Sequence, residues 1–188
     1  DVLNSMSRFK ISDLKRFKWN KCGGADCLTP KGFSYSRLEL KDGITIDLYN
    51  IHANAGSKDE DPAARRDNMM QVVEYMQKHS EGRPIILMGD FNSRYSRVID
   101  TLEIYQQLNL KDTWIEFTQN GIYPIKSEET VNDCSDEASP ICETVDRIFF
   151  ISNEQVEFRI LEFKRPKAEF MRDGKDLSDH IPVSTIFE

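Results

Sequence analysis

Ile85-Ile86-Leu87-Met88-Gly89-Asp90-Phe91-Asn92 is an apolar run that ends in polar groups. Four consecutive apolar residues between Pro84 and Gly89 read as a strand buried on both faces. Residues two apart on a strand point the same way, so Asp90 and Asn92 leave its end together. A carboxylate and an amide delivered to one spot can position a water or hold an oxyanion. Gly-Asp-x-Asn is also ordinary turn chemistry, and the apolar strand in front of it tips the reading toward function.

Three other segments repeat that design. Asn50-Ile51-His52 closes a run in which Ile44, Ile46 and Leu48 alternate with Thr45, Asp47 and Tyr49. The alternation predicts a strand with one buried face, and Asn50 and His52 continue its parity. Asp146 stands in the otherwise apolar run 145–151. A buried Asp needs a partner, and Arg147 points to the opposite face, which leaves a histidine as the expected one. Ser178-Asp179-His180-Ile181-Pro182-Val183 reads as a rigid turn into a strand. Histidine suits proton transfer or phosphate contact near neutral pH, and Asp179 can ligate a metal; a capping Asp beside a surface His is the plainer alternative. His79, at a helix end before Ser80-Glu81-Gly82, reads as a surface histidine without a role.

Outward from these segments, residues 34–40 and 44–51 predict a hairpin turned at Asp42-Gly43. Asp61-Pro62 predicts a helix start, with Met69, Val72, Val73, Tyr75 and Met76 as its core stripe and Glu81-Gly82 as its end. A second helix is expected near 97–108, a long polar excursion over 118–143, and strands near 145–151, 156–163 and 181–187. Strands alternating with few helices give α/β or α+β. Residues 1–33, with Gly23-Gly24, Pro30 and Gly32, read as an irregular, basic, Cys-containing lead-in, and 34–188 as the body of one domain.

The 188 residues suffice for one domain with a real core, and no apolar run is long enough for a membrane span. The net charge of −7 is uneven: residues 1–37 carry +5 and the remainder −12. An acidic body argues against broad, tight coating of nucleic acid, while leaving room for a local patch that meets a phosphate substrate. The four cysteines form two local pairs, Cys22/Cys27 and Cys134/Cys142, in loop-like segments. Two short-loop disulfides fit an oxidising compartment; free thiols and a four-Cys zinc site are the alternatives. No positively charged, apolar leader is present, as in a mature secreted protein.

In their order and spacing the four motifs resemble the endonuclease/exonuclease/phosphatase family, the DNase I-like superfamily, over about residues 34–188. The resemblance implies a four-layer αββα sandwich with its site at one end of two packed sheets. It implies a Mg²⁺- or Mn²⁺-dependent phosphodiesterase or phosphomonoesterase acting by in-line attack of water. Asn50 and His52 would contact or protonate the scissile phosphate. Asp90 would activate the water, and Asn92 would orient Asp90 and stabilise the transition state. Asp146 would orient His180, which would bind a phosphate oxygen. Asp179, with Asp90, would support the metal.

The same resemblance calls for earlier motifs, an Asn and the principal metal-binding Glu. Only 51 residues precede His52, and no Glu precedes Glu39. The sandwich is therefore expected to be incomplete in this chain, with its N-terminal half supplied by a separate polypeptide or lying outside a partial sequence. Activity is expected only where that half is supplied. A secreted DNase I-like nuclease is the first functional expectation. A sphingomyelinase-like lipid phosphodiesterase comes next; the apolar tip Ile122-Tyr123-Pro124-Ile125 is its only sequence support. An inositol-polyphosphate phosphatase would want a more basic chain. A non-catalytic binding or toxin-subunit module would explain the missing Glu, but has no need of the groups retained.

Overall fold

The computed structural model describes residues 3–136 and 138–188, Asp42 by its backbone alone. Strands β1 (Lys10–Lys18), β2 (Gly32–Glu39) and β3 (Thr45–His52) are followed by α1 (Glu60–His79) and β4 (Ile85–Asp90). Then come β5 (Lys111–Asp112), α2 (Thr113–Thr118), β6 (Asp146–Ile151), β7 (Ile160–Lys164), β8 (Met171–Arg172), β9 (Lys175–Asp176) and β10 (Ser184–Phe187). One mixed sheet runs β1-β2-β3-β4-β6-β5, with β3 and β4 parallel and its other pairs antiparallel. A parallel pair needs a crossover, and α1 is that crossover.

The core lies between this sheet and its helices. Tyr49, Ile51, Leu87 and Phe149 face Met69, Val72, Val73 and Met76 of α1, all buried. Each such side chain contributes about 1.5–3 kcal/mol through removal from water. The opposite face begins the second layer: Phe150 packs on Phe158 and Phe187, where β7 and β10 form a two-stranded sheet. The architecture is thus mixed α/β with an abbreviated second sheet. Among the described residues no helix is long and apolar enough to cross a membrane.

Several expectations need correction. The lead-in is not irregular throughout: β1 at Lys10–Lys18 pairs with β2 and is missed because Lys10, Lys15, Arg16 and Lys18 mask an edge strand in which Ile11, Ser12 and Phe17 are half-buried. A bulge between Ser12 and Lys15, with Asp13 at φ +55°, further breaks its alternation. The hairpin turn is not two residues. A 3-10 turn at Lys41–Gly43 joins strands paired from Glu39↔Thr45. β3 is buried on both faces. Asp47 is 1% exposed because Tyr35 Oη, Arg37 Nε and Ser80 Oγ donate to it, and Tyr49 is covered by α1.

α1 begins at Glu60 rather than after Asp61. Asp61 instead accepts from Lys58 N at 3.0 Å while its own N–H returns to Lys58 O, a reciprocal cap. The helix expected at 97–108 reduces to a 3-10 segment, Leu102–Leu108. Asp100 is drawn away by Arg65 at 2.8 Å and Arg97 at 2.5 Å, which fixes a loop where the helix should start. α2 was not foreseen; Asp112 caps it by accepting from Trp114 N at 2.9 Å. β7 begins at Ile160, later than expected, and β10 at Ser184.

Both cysteine pairs, Cys22–Cys27 and Cys134–Cys142, are disulfides, so the thiol and zinc alternatives fall away. The setting of Cys142 is a further correction. Expected in a polar, loop-like excursion, Cys142 is instead fully buried, at 0% exposure. Its N–H donates to Ser139 O at 3.1 Å, and its carbonyl accepts from Arg165 Nη2. With its backbone groups satisfied and its sulfur bonded to Cys134, Cys142 presents nothing that needs water, and burial is cheap. Composition hid this, because the polar residues around Cys142 describe the excursion and not its inward return to β6. Cys142 is therefore an anchor of the fold and takes no part in the site chemistry.

Candidate active site

Strand register builds this site. His52 is paired with Asp90, and Asp90 with Asp146, so three adjacent strands set these residues side by side in one row. Directly opposed residues on neighbouring strands hold their Cβ atoms about 5 Å apart. β3 and β4 end here, and β6 begins with Asp146. Parity puts the row on the sheet face away from α1, since Tyr49, Leu87 and Phe149 occupy the helix side.

Gly89 lets β3 and β4 come together. Its φ is +132°, and a Cβ there would lie 2.1 Å from the Ile51 carbonyl oxygen and 2.9 Å from Asn50 Oδ1. Phe91 anchors the next residue, fully buried against Tyr105 and Phe149. Asn92 then turns back with φ +50°, a conformation asparagine tolerates. Its backbone N–H donates to Asp90 Oδ1 at 2.7 Å and its side-chain amide to Asp90 Oδ2 at 2.8 Å. The same Nδ2 donates to Ala53 O at 3.1 Å, so both amide hydrogens are used.

His52 Nε2 stands 3.4 Å from Asp90 Oδ2. His180 arrives from the segment between β9 and β10, and its Nδ1 lies 2.6 Å from Asp146 Oδ2. The chain turn that delivers it is held by His180 N donating to Ser178 Oγ at 3.0 Å. Arg147 does turn to the other face, where Asp112 and Glu143 pair with it. Asn50 sits two residues below His52 and reaches Asn4 O at 3.4 Å. It lines a groove of about 650 Å³ together with Asp146, His180, Asp179, Lys167 and Phe170.

Electrostatics separate the two histidines. Burial, then the charge of Lys31, holds His52 below the ordinary histidine range. Burial opposes charge on His180 as well, but the hydrogen bond and charge of Asp146 carry it above that range. Burial raises both carboxyls: Asp90 is lifted further by the charge of Asp146, while the hydrogen bond from His180 restrains Asp146. Proton binding is thus disfavoured at His52 and favoured at His180, at the two ends of one row whose Asp146 end opens into the groove.

Asp90, Asp146 and His180 offer ligand atoms within 4.8 Å of one another. Mg²⁺ takes one or two carboxylates and fills its remaining positions with water and substrate oxygens, so Asp90 and Asp146 suit it. His180 Nδ1 is committed to Asp146, which leaves Nε2 free to face a phosphate. Asp179 is exposed and lies outside that cluster. His79 is exposed and stacked on Tyr75, away from the row. Lys31 and Ala53 were missed by sequence reasoning; a lysine in a loop and an alanine after a strand carry no signal of their own.

The sequence profile described as Endonuclease/Exonuclease/phosphatase family 2 matches residues 2–123, a span that includes His52, Asp90 and Asn92. The chain belongs to this family. Within the endonuclease/exonuclease/phosphatase family 2, a sphingomyelinase of Mycobacterium tuberculosis is 35% identical over 185 residues, covering 97% of this chain and 36% of that protein. The chain therefore spans about a third of that relative. Among solved structures, Danio rerio TDP2 in complex with a single-stranded DNA product gives a TM-score of 0.65 at 15% identity, covering 96% of this chain and 69% of that one. Staphylococcus aureus beta toxin, an F277A, P278A mutant with bound magnesium ions, gives 0.62 at 17%, covering 95% and 65%. The fold of this family member is thus DNase I-like. Its match extends into residues expected to be a lead-in, in keeping with β1.

Proposed function

We propose that this chain carries part of a metal-dependent phosphodiesterase that cleaves a phospholipid of the sphingomyelin type. The observation that carries the substrate class is the 35% identity to a sphingomyelinase across 97% of the chain. It reverses the order expected from sequence, in which a nuclease stood first. The nuclease reading retains only the +5 charge of residues 1–37.

The chemistry is attack of water on phosphorus. A bond forms from the water oxygen to phosphorus, and the bond from phosphorus to the lipid oxygen breaks. The lipid oxygen leaves as the alcohol by taking up a proton through solvent, equal to the one that Asp90 receives from the water. Asp90 accepts the water proton; its raised pKa favours that role. Asn92 holds Asp90 through two hydrogen bonds and fixes its orientation. His52, whose proton affinity burial lowers, contacts the phosphate as a hydrogen-bond donor. His180, charged and clamped by Asp146, binds a phosphate oxygen, and Asn50 offers a further donor at the groove. Asp90 and Asp146 would hold Mg²⁺, or Mn²⁺, with Asp179 at the edge of that set. The bound ion would supply Lewis-acid charge to the phosphate. A magnesium-bound beta toxin with this fold supports that choice.

Two disulfides and the likeness to beta toxin support secretion. No relative supports an N-terminal half on a separate polypeptide. The test, on protein in which this chain is accompanied by the N-terminal half of the domain, compares phosphocholine release from sphingomyelin in detergent micelles with plasmid nicking, each with Mg²⁺ and with EDTA. Micelle turnover that EDTA abolishes supports the reading. Plasmid nicking without lipid turnover returns the nuclease to first place, and neither activity favours a binding module.

A further inference from the structure

Four consecutive residues that leave β3 are held by one segment of the lead-in. Trp19 Nε1 donates to the His52 carbonyl at 2.8 Å. Lys31 Nζ donates to the Ala53 carbonyl at 3.4 Å. Gly23 N donates to Asn54 Oδ1 at 2.7 Å, and Ala55 N donates to Asp26 Oδ2 at 2.5 Å. Trp19, Gly23, Asp26 and Lys31 all belong to residues 19–31, whose ends meet where Trp19 N donates to Lys31 O at 3.3 Å and whose inner loop the Cys22–Cys27 disulfide closes. Lys31 and Asp26 pair at 2.7 Å with side chains only 10% and 18% exposed, so this is a largely desolvated pair rather than a loose surface contact.

The Ala53 carbonyl is the junction. It accepts from Lys31 on one side and from Asn92 Nδ2 on the other. Ala53 N also donates to Asp90 O at 2.8 Å. A shift of Ala53 therefore moves the amide that fixes Asp90 and the backbone that carries His52. The far side of the same turn is held by α1, where Asn68 Oδ1 accepts from Asn54 N at 3.0 Å and Arg65 donates to Asn54 O at 3.2 Å. α1 grips Asn54 and, through Arg65 at 2.8 Å, the Gly56 carbonyl, whereas residues 19–31 grip His52, Ala53, Asn54 and Ala55.

We propose that the disulfide-closed segment Trp19–Lys31 is the positioning element of this site, setting His52 and Asn92 through Ala53, with Lys31 and Asp26 as its charged latch. Trp19 and Lys31 are positioning residues: neither lies in the row that faces phosphate. The catalytic part of this inference rests on the phosphodiesterase reading; the geometric part does not.

The test uses the full chain with Lys31→Met, Lys31→Arg, Trp19→Phe and the double variant Cys22→Ser/Cys27→Ser. Trp19→Phe keeps an aromatic ring against Phe33 and removes only the indole N–H. Misplacement of reacting groups by a fraction of an ångström to an ångström costs about tenfold to a hundredfold in rate. Lys31→Met and Trp19→Phe are expected to lower kcat about tenfold with KM within twofold, and Lys31→Arg to restore most of it. In the metal-free protein, the Asn92 side-chain NH₂ resonances should move in Lys31→Met and return in Lys31→Arg. Unmoved resonances with a lowered melting temperature alone would reduce the segment to a structural clip and overturn the proposal. If wild type supplied with the N-terminal half of the domain hydrolyses no phosphodiester, the functional reading fails, and the resonances alone decide the positioning claim.

Discussion

Gly89→Ala tests whether the close approach of β3 and β4 builds the site. The added Cβ would sit 2.1 Å from Ile51 O and 2.8 Å from Ile51 N, backbone atoms that cannot rotate away, and 2.9 Å from the side-chain Oδ1 of Asn50. Relief requires the two strands to part by about 1 Å. Overpacking of this kind costs about 1–3 kcal/mol, and a side chain at φ +132° about the same again. The sum is about 2–6 kcal/mol, or about 5–20 °C in melting temperature for a chain of this size. Gly43→Ala is the control. Its φ is +77°, yet nothing lies within 4 Å, so only the backbone term applies, about 1 kcal/mol or a few degrees. Differential scanning calorimetry of both variants gives the difference, and steady-state hydrolysis by folded Gly89→Ala should fall about a hundredfold as His52 and Asp90 separate. Melting of Gly89→Ala within about 2 °C of Gly43→Ala, with activity kept, would refute the reasoning.

Other perturbations act on the same row. Asp146→Asn removes the charge that clamps His180, so hydrolysis should fall about tenfold to a hundredfold. The His180 titration, followed by NMR, should move down; an unmoved titration would mean the pair does not set its charge. His180 is raised in the folded chain, so its contribution to stability is complete below the ordinary histidine range and is lost as pH rises through the higher folded value. Urea midpoints of His180→Ala should lack that decline across the same window; an identical slope in variant and wild type would count against the pair. Mg²⁺ at about a hundred times its Kd should stabilise the chain by about 2.7 kcal/mol, an effect absent in Asp90→Asn. Because Asp90 and Asp146 both sit above the ordinary carboxylate range, Mg²⁺ affinity should begin to fall at higher pH than at an unperturbed carboxylate site; calorimetric titration across pH reads this, and a flat affinity down to the ordinary range would contradict it. Leu87→Ala, in the fully buried core, should cost about 2–5 kcal/mol by denaturant unfolding, and less than about 1 kcal/mol would mean the site collapses readily.

How legible the site was depends on where its information lies. Asp90, Asn50, His52 and Asp146 were readable because strand parity puts each on a known face at a known end; Asn92, expected to follow the same parity, instead lies beyond β4 and folds back onto Asp90. That Asp146 needs a histidine partner followed from elimination, since a half-buried carboxylate needs a partner and Arg147 points away; that the histidine is His180 came from the resemblance to the family. What held those residues in place was not readable. The contacts from Trp19, Gly23, Asp26 and Lys31 depend on β1 packing beside β2, and β1 is an edge strand whose charges and bulge hide its period. The double burial of β3 was hidden for a similar reason. Asp47 looks solvent-facing until Tyr35 and Arg37 of β2 and Ser80 after α1 converge on it. The burial of Cys142 was equally silent, since Arg165, which covers its carbonyl, lies 23 positions away. The expected helix at 97–108 failed because Asp100 is held by Arg65, a residue 35 positions away. Such tertiary contacts override local propensity and leave no local trace.

The central claim is that water attacks phosphorus at the Asp90 end of this row. Hydrolysis of sphingomyelin in ¹⁸O-labelled water, with Mg²⁺ and analysed by mass spectrometry of both products, tests it most directly. The account predicts one ¹⁸O in the phosphocholine and none in the lipid alcohol, with no release in EDTA or in Asp90→Asn. Label in the lipid alcohol, or release that survives EDTA and Asp90→Asn, would contradict it.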